Sequence, residues 1–330
     1  MTPSQIVLAL HTLVAIRRPV FIWGAPGVGK SRVVASVAED LGMALRDVRA
    51  VLIDPVDLRG IPRISSDGRT VWCPPDFLPG PSDPERGILF LDELNAAPPL
   101  VQAACYQLIL DRRVGEYRLP DGWAIVAAGN REGDRAVTHR MPTALANRMV
   151  HLDFDVSLDD WLDWAERSGI RPEISAFLRF RPGLLHDFDA KSASRSFPTP
   201  RTWEFVSDIL KAQPPGDVEY DLLRGTIGDG AAAELAGFLA VWRSLPTVDE
   251  TLANPLGVRL PEEPAAIYAL CDAVSRKATA DDAEALALLA SRLHAEFGVL
   301  LMRNVACRDE RLEYTEAFQE WARANAQVLL

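Results

Sequence analysis

Residues 20–31 read VFIWGAPGVGKS, and this stretch decides the fold. Gly24, Gly29, Lys30 and Ser31 occupy the fixed positions of the pattern G-x-x-x-x-G-K-[ST]. The pattern lies between an apolar run typical of a buried strand and an amphipathic run typical of a helix, which is the context of a phosphate-binding loop. In such a loop, backbone N–H groups turn towards a phosphate, and the next helix adds its unpaired donors and the positive end of its dipole.

The loop predicts a nucleotide-binding site and the residues that would form it. These residues are Gly24, Ala25, Pro26, Gly27, Val28, Gly29, Lys30, Ser31 and Arg32. We expect Lys30 to reach the β- and γ-phosphates and Ser31 to bind Mg²⁺. The alternative is a glycine turn that only caps a helix, and the surrounding strand and helix argue against it.

Residues 87–95, GILFLDELN, read as an apolar strand that ends in two carboxylates. Strands buried on both faces of a parallel sheet are apolar throughout, and ligands gather at their carboxyl ends. We expect Asp92 to hold Mg²⁺, and Glu93 to orient and polarise the water that attacks the γ-phosphate. Acidic pairs also occur in ordinary turns, so this assignment depends on the phosphate loop that precedes it.

A further apolar strand is predicted at residues 123–128, and Gly129 and Asn130 follow it. A neutral amide at this strand tip can bind the γ-phosphate or the attacking water. The alternative is an asparagine favoured by a turn after glycine.

Two short extended segments, residues 61–64 and 69–72, flank an Asp-Gly turn. This pattern predicts a β-hairpin inserted into the core at about residues 61–72. A stable α/β core does not need such an insertion, so we expect the hairpin to contact another molecule. A hairpin without a binding role is the alternative.

The composition is that of an ordinary globular protein: 330 residues, 48% hydrophobic and 25% charged. The net charge of −11 argues against broad electrostatic binding to nucleic acid. No apolar run approaches the roughly 20 residues that span a bilayer. We therefore expect a cytoplasmic protein without membrane insertion.

The motifs GAPGVGKS, ILFLDEL and AAGN occur in the order and spacing of AAA+ ATPases, together with ALANR at 144–148 and PTPR at 198–201. The hairpin after residues 57–60 resembles the insertion in the second helix that marks the MoxR branch. The resemblance covers about residues 1–245. It implies an α/β fold with an AAA+ P-loop core on a five-stranded parallel sheet, followed by an all-α lid and a C-terminal helical region.

Strand signals stop near residue 156, and helical spacing continues from there to the end of the chain. Together with the resemblance, this change predicts three regions. They are the nucleotide-binding core at 1–156, a helical lid at 157–245, and a helical extension at 246–330 packed on the lid.

The resemblance also implies roles for two arginines. Arg148 corresponds to the arginine finger, which reaches from one subunit into the site of its neighbour, and Arg140 is the rival candidate. Arg201 matches the second sensor, acting on its own site or on an adjacent one. With Glu93 and Asn130, Arg148 and Arg201 complete the predicted catalytic set. A surface salt bridge for Arg148 and a helix-starting role for Arg201 are the structural alternatives.

The function that the resemblance implies is an ATPase that converts ATP and water to ADP and phosphate, with ATP and Mg²⁺ as cofactors. Such proteins form rings, usually hexamers, and act as motors or chaperones that remodel or activate a protein client. They work with a partner that carries a von Willebrand factor A domain, so a separate partner chain is expected. The alternatives are a nucleic-acid-dependent translocase, a small-molecule phosphotransferase and a nucleotide-gated scaffold.

Overall fold

The computed structural model describes residues 1–134, 139, 141–189, 194–261 and 264–325. These residues form two compact units. The first unit comprises residues 1–161, 188–189 and 199–201, and the second comprises residues 162–187, 194–198 and 202–325. The lid and extension predicted within the second unit stay a prediction.

The first unit contains all the strands found in the described residues, together with five complete helices. The strands are β1 (Val20–Trp23), β2 (Ala44–Arg49), β3 (Ile61–Ile64), β4 (Thr70–Cys73), β5 (Gly87–Asp92), β6 (Arg113–Val114), β7 (Tyr117–Arg118), β8 (Trp123–Gly129) and β9 (Val150–Asp153). The helices are α1 (Pro3–Ala15), α2 (Lys30–Asp40), α3 (Pro55–Arg59), α4 (Pro99–Asp111) and α5 (Thr143–Ala146).

The central sheet has five parallel strands in the order β2-β5-β8-β1-β9. This confirms the predicted five-stranded parallel sheet. Trp23 pairs with Gly129, and Arg49 pairs with Asp92. Because the strands are parallel, the residues that follow β1, β5 and β8 lie at one edge of the sheet, where α/β proteins bind ligands.

Each face of the sheet is covered by a hydrophobic core. One core packs α4 on the sheet, and its residues from the central sheet are Phe21, Val48, Leu89, Leu91, Trp123, Ile125 and Ala127. The other packs α1 and α2 on the sheet, and its strand residues are Val20, Ile22, Ile88, Phe90, Ala124, Val126, Ala128 and Leu152. Successive residues of a strand point to opposite faces, so a strand covered on both faces is apolar throughout.

The predicted hairpin is present as the antiparallel pair β3–β4, with a turn at Asp67 and Gly68. Its side chains Ile61 and Ile64 are 75% and 78% exposed. A second antiparallel pair, β6–β7, follows α4.

The ends of two elements follow from local structure. The strand β2 ends at Arg49 because residues 50–52 form a 3₁₀ turn in which Ala50 is buried. The helix at Pro200–Lys211 begins with a proline, which costs no hydrogen bond in the first turn of a helix.

The described residues of the second unit form helices joined by turns and loops, and they contain no strand. Its helices are α6 (Leu158–Arg167), α7 (Pro172–Phe180), α8 (Pro200–Lys211), α9 (Gly216–Ile227), α10 (Asp229–Ser244), α11 (Val248–Ala253), α12 (Pro264–Lys277), α13 (Ala283–Arg292), α14 (Ala295–Ala306) and α15 (Glu316–Ala324), of which α6 and α8 begin in the first unit. The helices α12 to α15 share one core. None of the helices in the described part of the chain combines the length and apolar character that crossing a bilayer requires.

Candidate functional site

The loop between β1 and α2 takes a conformation that depends on glycine. Gly27 and Gly29 have φ angles of 77° and 103°, a region that other residues rarely adopt. The Gly24 N–H donates to Gly129 O over 3.2 Å, so the loop is joined to the end of β8. Since Gly29 precedes the first residue of α2, the unpaired N–H groups of that helix lie beside the loop.

The remaining loop residues differ in exposure. Ala25 and Val28 are buried, Pro26 is half-buried, and Arg32 is exposed on the first turn of α2. The two buried residues belong to the core that packs α1 and α2 on the sheet, so the loop is anchored to the sheet through its apolar side chains.

Lys30 is buried, with 9% of its surface exposed, and its ammonium group contacts three oxygens. The Nζ atom donates to Gly24 O at 2.7 Å, Ala25 O at 3.0 Å and Asn130 Oδ1 at 3.1 Å. The pKa of Lys30 is lowered to about 8, chiefly because the group is buried, and the nearby charge of Arg201 contributes to the lowering. The carboxylates around it, chiefly Asp92, act in the opposite direction.

The acidic pair lies beside the loop. The Ser31 hydroxyl donates to Asp92 Oδ2 over 2.9 Å, and the Glu93 N–H donates to Asp92 Oδ1 over 2.9 Å. Glu93 is exposed and has a φ angle of 55°, in the left-handed region. A side chain held in that region costs on the order of 1–2 kcal/mol, a cost that is concentrated at functional sites.

Arg201 lies beside the phosphate loop of its own chain. Its backbone N–H donates to Gly27 O over 3.3 Å, while its side chain is exposed. Thr199 packs on the same glycine, since a Cβ atom added at Gly27 would lie 2.8 Å from Thr199 Oγ1. The sequence motif PTPR gave no reason to single out this contact of Thr199.

Arg148 lies in the turn between α5 and β9. Its side chain is exposed, and its N–H donates to Leu145 O over 2.9 Å. It forms no ion pair with any residue in the described ranges. Arg140, the rival candidate, lies outside the residues that the structure describes.

One site residue escaped the sequence analysis. Asn95 is buried, with 2% of its surface exposed, and its Nδ2 donates to Asn130 O over 2.8 Å. The signal was the polar residue after the apolar strand in GILFLDELN, where a buried position would ordinarily be apolar.

Comparisons with known proteins agree with this arrangement. Residues 19–149 match the family model described as an AAA domain of the dynein-related subfamily. This match contains β1, the phosphate loop, the acidic pair, Asn130 and Arg148.

Two curated relatives share about the same identity with the chain. The protein MoxR of Paracoccus denitrificans is 29% identical over 182 residues, which cover 53% of this chain and 48% of MoxR. Midasin of Giardia intestinalis is 29% identical over 173 residues, which cover 49% of this chain and 4% of midasin. The match therefore spans about half of MoxR and a small part of midasin.

Among solved structures, NtrX of Brucella abortus bound to ADP has a TM-score of 0.43 at 16% identity, covering 98% of this chain and 68% of that one. The Holliday junction branch migration motor RuvB of Thermotoga maritima has a TM-score of 0.37 at 18% identity, covering 78% and 81%. Residues 19–149, which contain the phosphate loop and the acidic pair, therefore match an AAA domain of the dynein-related subfamily, and the chain is similar to MoxR over about half of its length.

Proposed function

We propose that the protein hydrolyses ATP in the presence of Mg²⁺ within an oligomeric ring, and that it uses the cycle to remodel or activate a protein client. One observation carries the proposal. One edge of the sheet brings together the phosphate loop, the acidic pair and Asn130. Hydrogen bonds join Lys30 to Asn130 and Ser31 to Asp92. A triphosphate at this edge would meet a cation, a candidate base and a neutral amide together.

The proposed role of Lys30 is to bind the β- and γ-phosphates, and that of Glu93 is to orient the attacking water. Asn130 would hold that water or the γ-phosphate. Since Lys30 already contacts Asn130, a phosphate bound by one side chain would lie within reach of the other.

Ser31 and Asp92 are the residues that would hold magnesium. Their oxygens are 2.9 Å apart, and they fit a metal that takes oxygen ligands and uses one or two protein groups beside phosphates and water. Magnesium bound there would compensate the negative charge of the triphosphate.

The two arginines support a site that is shared between subunits. Arg201 is bonded through its backbone to the loop of its own chain, which favours action on its own site. Arg148 is exposed, which favours insertion into the site of a neighbouring copy. A guanidinium supplied across an interface makes hydrolysis depend on assembly.

The resemblance to MoxR-like proteins adds a hexameric ring, a separate partner with a von Willebrand factor A domain and a cytoplasmic location to this proposal. The exposed β3–β4 hairpin, with Ile61 and Ile64, is the surface that we propose for contact with the client. The exposed apolar side chains favour a protein as the contact, since exposed apolar surface marks sites of protein–protein interaction, while the same hairpin also carries the exposed Arg63 and Arg69.

Two substitutions test the proposal. Lys30→Ala should weaken ATP binding, because the loop loses the ammonium group that we propose binds the β- and γ-phosphates. Glu93→Gln should bind ATP normally and stall hydrolysis, because an amide cannot take the proton of the attacking water. ATP binding is measured by calorimetry and hydrolysis by phosphate release. Normal turnover by Glu93→Gln would remove the assigned role of Glu93, and a rate that rises on adding DNA would favour a translocase instead.

A further inference from the structure

We infer that Asn95 is a positioning residue for ATP hydrolysis: its buried amide holds the main chain of Asn130 where the side chain of Asn130 can act on the γ-phosphate or on the attacking water. The inference rests on the proposed ATPase function and adds to it a residue that the motifs of the chain do not assign. It also predicts which kinetic constant the residue controls.

The amide of Asn95 has one possible orientation. Its Nδ2 lies 2.8 Å from Asn130 O, and only the NH₂ end of an amide can face a carbonyl oxygen. The other end, Oδ1, then faces Gly129, where an added Cβ atom would lie only 2.0 Å from it. The approach of Asn95 to the end of β8 therefore requires glycine at position 129.

An asparagine at position 95 lowers the stability of the fold in a way that an apolar residue would not. Asn95 Oδ1 is buried and has no hydrogen-bond partner among the residues that the structure describes. A buried polar atom without a partner lowers stability because it gives up its hydrogen bonds to water, whereas an apolar side chain at this place would lose none. Buried polar atoms without a hydrogen-bond partner occur mainly at functional sites, where they help to hold other groups in a fixed geometry.

Asn95 and Lys30 together hold Asn130 at two atoms. The backbone oxygen of Asn130 accepts from Asn95, and its side-chain oxygen accepts from Lys30 over 3.1 Å. Lys30 in turn is bound to the carbonyl groups of the loop. The hydrogen bond from Lys30 fixes the position of Asn130 relative to the phosphate loop, and the hydrogen bond from Asn95 fixes it relative to the turn that follows Glu93.

Asn95 itself is supported from α4. Gln102 Nε2 donates to Asn95 O over 3.3 Å and to Ala97 O over 2.8 Å, and the Tyr106 hydroxyl donates to Gln102 Oε1. The N–H of His139 also donates to Asn95 O, over 2.7 Å. The carbonyl group and the side chain of Asn95 therefore contact α4, the end of β8 and the backbone of His139.

This geometry predicts a change in rate and not in affinity. The loop and α2 supply most contacts to a bound nucleotide, while Asn130 acts where charge develops during the reaction. A residue that only positions Asn130 should therefore affect kcat, because an interaction made mainly in the transition state changes kcat without changing substrate binding.

The experiment compares Asn95→Asp and Asn95→Ala with the wild-type chain. Asn95→Asp keeps the shape and removes the donor to Asn130 O, and Asn95→Ala removes the side chain in case the carboxylate prevents folding. We expect kcat to fall by about 10- to 100-fold, the range found when groups that orient functional residues are lost. The affinity for a non-hydrolysable ATP analogue should stay close to the wild-type value.

Asn325→Asp is the matched control. Asn325 Nδ2 also donates to a backbone carbonyl, that of Trp321, over 2.9 Å, but it lies at the end of α15 in the second unit. Loss of the same kind of hydrogen bond there should leave kcat unchanged. An equal fall in kcat for Asn325→Asp would mean that general destabilisation causes the effect, and it would overturn the inference.

A second measurement separates positioning from structural support. If Asn95 acts through Asn130, then adding Asn95→Ala to Asn130→Ala should lower kcat no further, since coupled residues are not additive. The same factor in both backgrounds, or an unchanged kcat in both Asn95 variants, would overturn the inference while leaving the ATPase proposal intact. A wild-type chain that does not hydrolyse ATP would instead remove the ATPase proposal and, with it, the inference.

Discussion

Burial makes the charge of the Lys30 ammonium group sensitive to pH near neutrality. Removing a lysine from water disfavours the charged form, and the nearby carboxylates of Asp92, Asp134 and Glu93 only partly compensate. The pKa of Lys30 is lowered to about 8, so the group begins to lose its proton just above neutral pH. A bound triphosphate would raise this pKa again, because it brings several negative charges.

This shift predicts a pH dependence of ATP binding. Above a pH of about 8 the nucleotide-free protein carries fewer protons than the complex, so binding takes up a proton and the affinity falls as the pH rises. The fall should reach at most about tenfold per pH unit. Calorimetry at pH 8.5 in buffers of different ionisation enthalpy measures the uptake.

Lys30→Arg is the control for this prediction, because a guanidinium keeps its charge over the whole pH range. The affinity for ATP that this variant retains should not fall as the pH rises above about 8. Equal proton uptake in the wild type and in Lys30→Arg would assign the titration to another group.

The motifs allow some of the site residues to be predicted and not others. Lys30, Asp92 and Asn130 could be expected at one place because each follows a strand of one parallel sheet, and the structure places them together. Their chemical roles stay predictions. The contacts of Asn95 and of Thr199 could not be foreseen, because they depend on which buried atoms meet once the core has packed.

At the scale of elements, a buried ionic cluster joins two helices of the second unit. Asp272 in α12 is 2% exposed and pairs with Arg179 in α7 and with Arg276 one turn further along α12. Removing one partner of a buried cluster leaves charge buried without compensation. The cluster should therefore hold α7 against α12.

We expect Asp272→Ala to lower the free energy of unfolding by about 3–5 kcal/mol. Urea denaturation followed by circular dichroism measures the change. Asp249→Ala is the matched control, since Asp249 pairs with Lys277 on the surface and should contribute only about 0–1 kcal/mol. Similar losses for the two variants would mean that burial does not decide the contribution of these pairs.

The elements themselves were largely predictable. The apolar strands β1, β5 and β8 lie where their sequence places them, because an uninterrupted apolar run between polar turns has few alternatives. The ends were harder to predict. The stretch after Arg49 reads as more strand, yet it turns because Ala50 packs into the core, which only the tertiary structure decides.

The proposed active site is formed either by one chain alone or by two neighbouring chains. The phosphate loop, Glu93, Asn130 and Arg201 are supplied by a single chain, while the exposed Arg148 is the group that we propose comes from a neighbour. A site that is completed by assembly should hydrolyse ATP faster per molecule as the protein concentration rises. The specific activity of a permanently monomeric protein would not change with dilution.

The most direct measurement mixes two variants that are inactive alone. Glu93→Gln keeps Arg148 but lacks the water-orienting carboxylate, and Arg148→Ala keeps that carboxylate but lacks the finger. If Arg148 acts across the interface, mixed rings contain sites with both groups, and phosphate release by the mixture should clearly exceed the sum of the two variants. Phosphate release that merely equals this sum, or an Arg148→Ala protein as active as the wild type, would contradict a site shared between subunits.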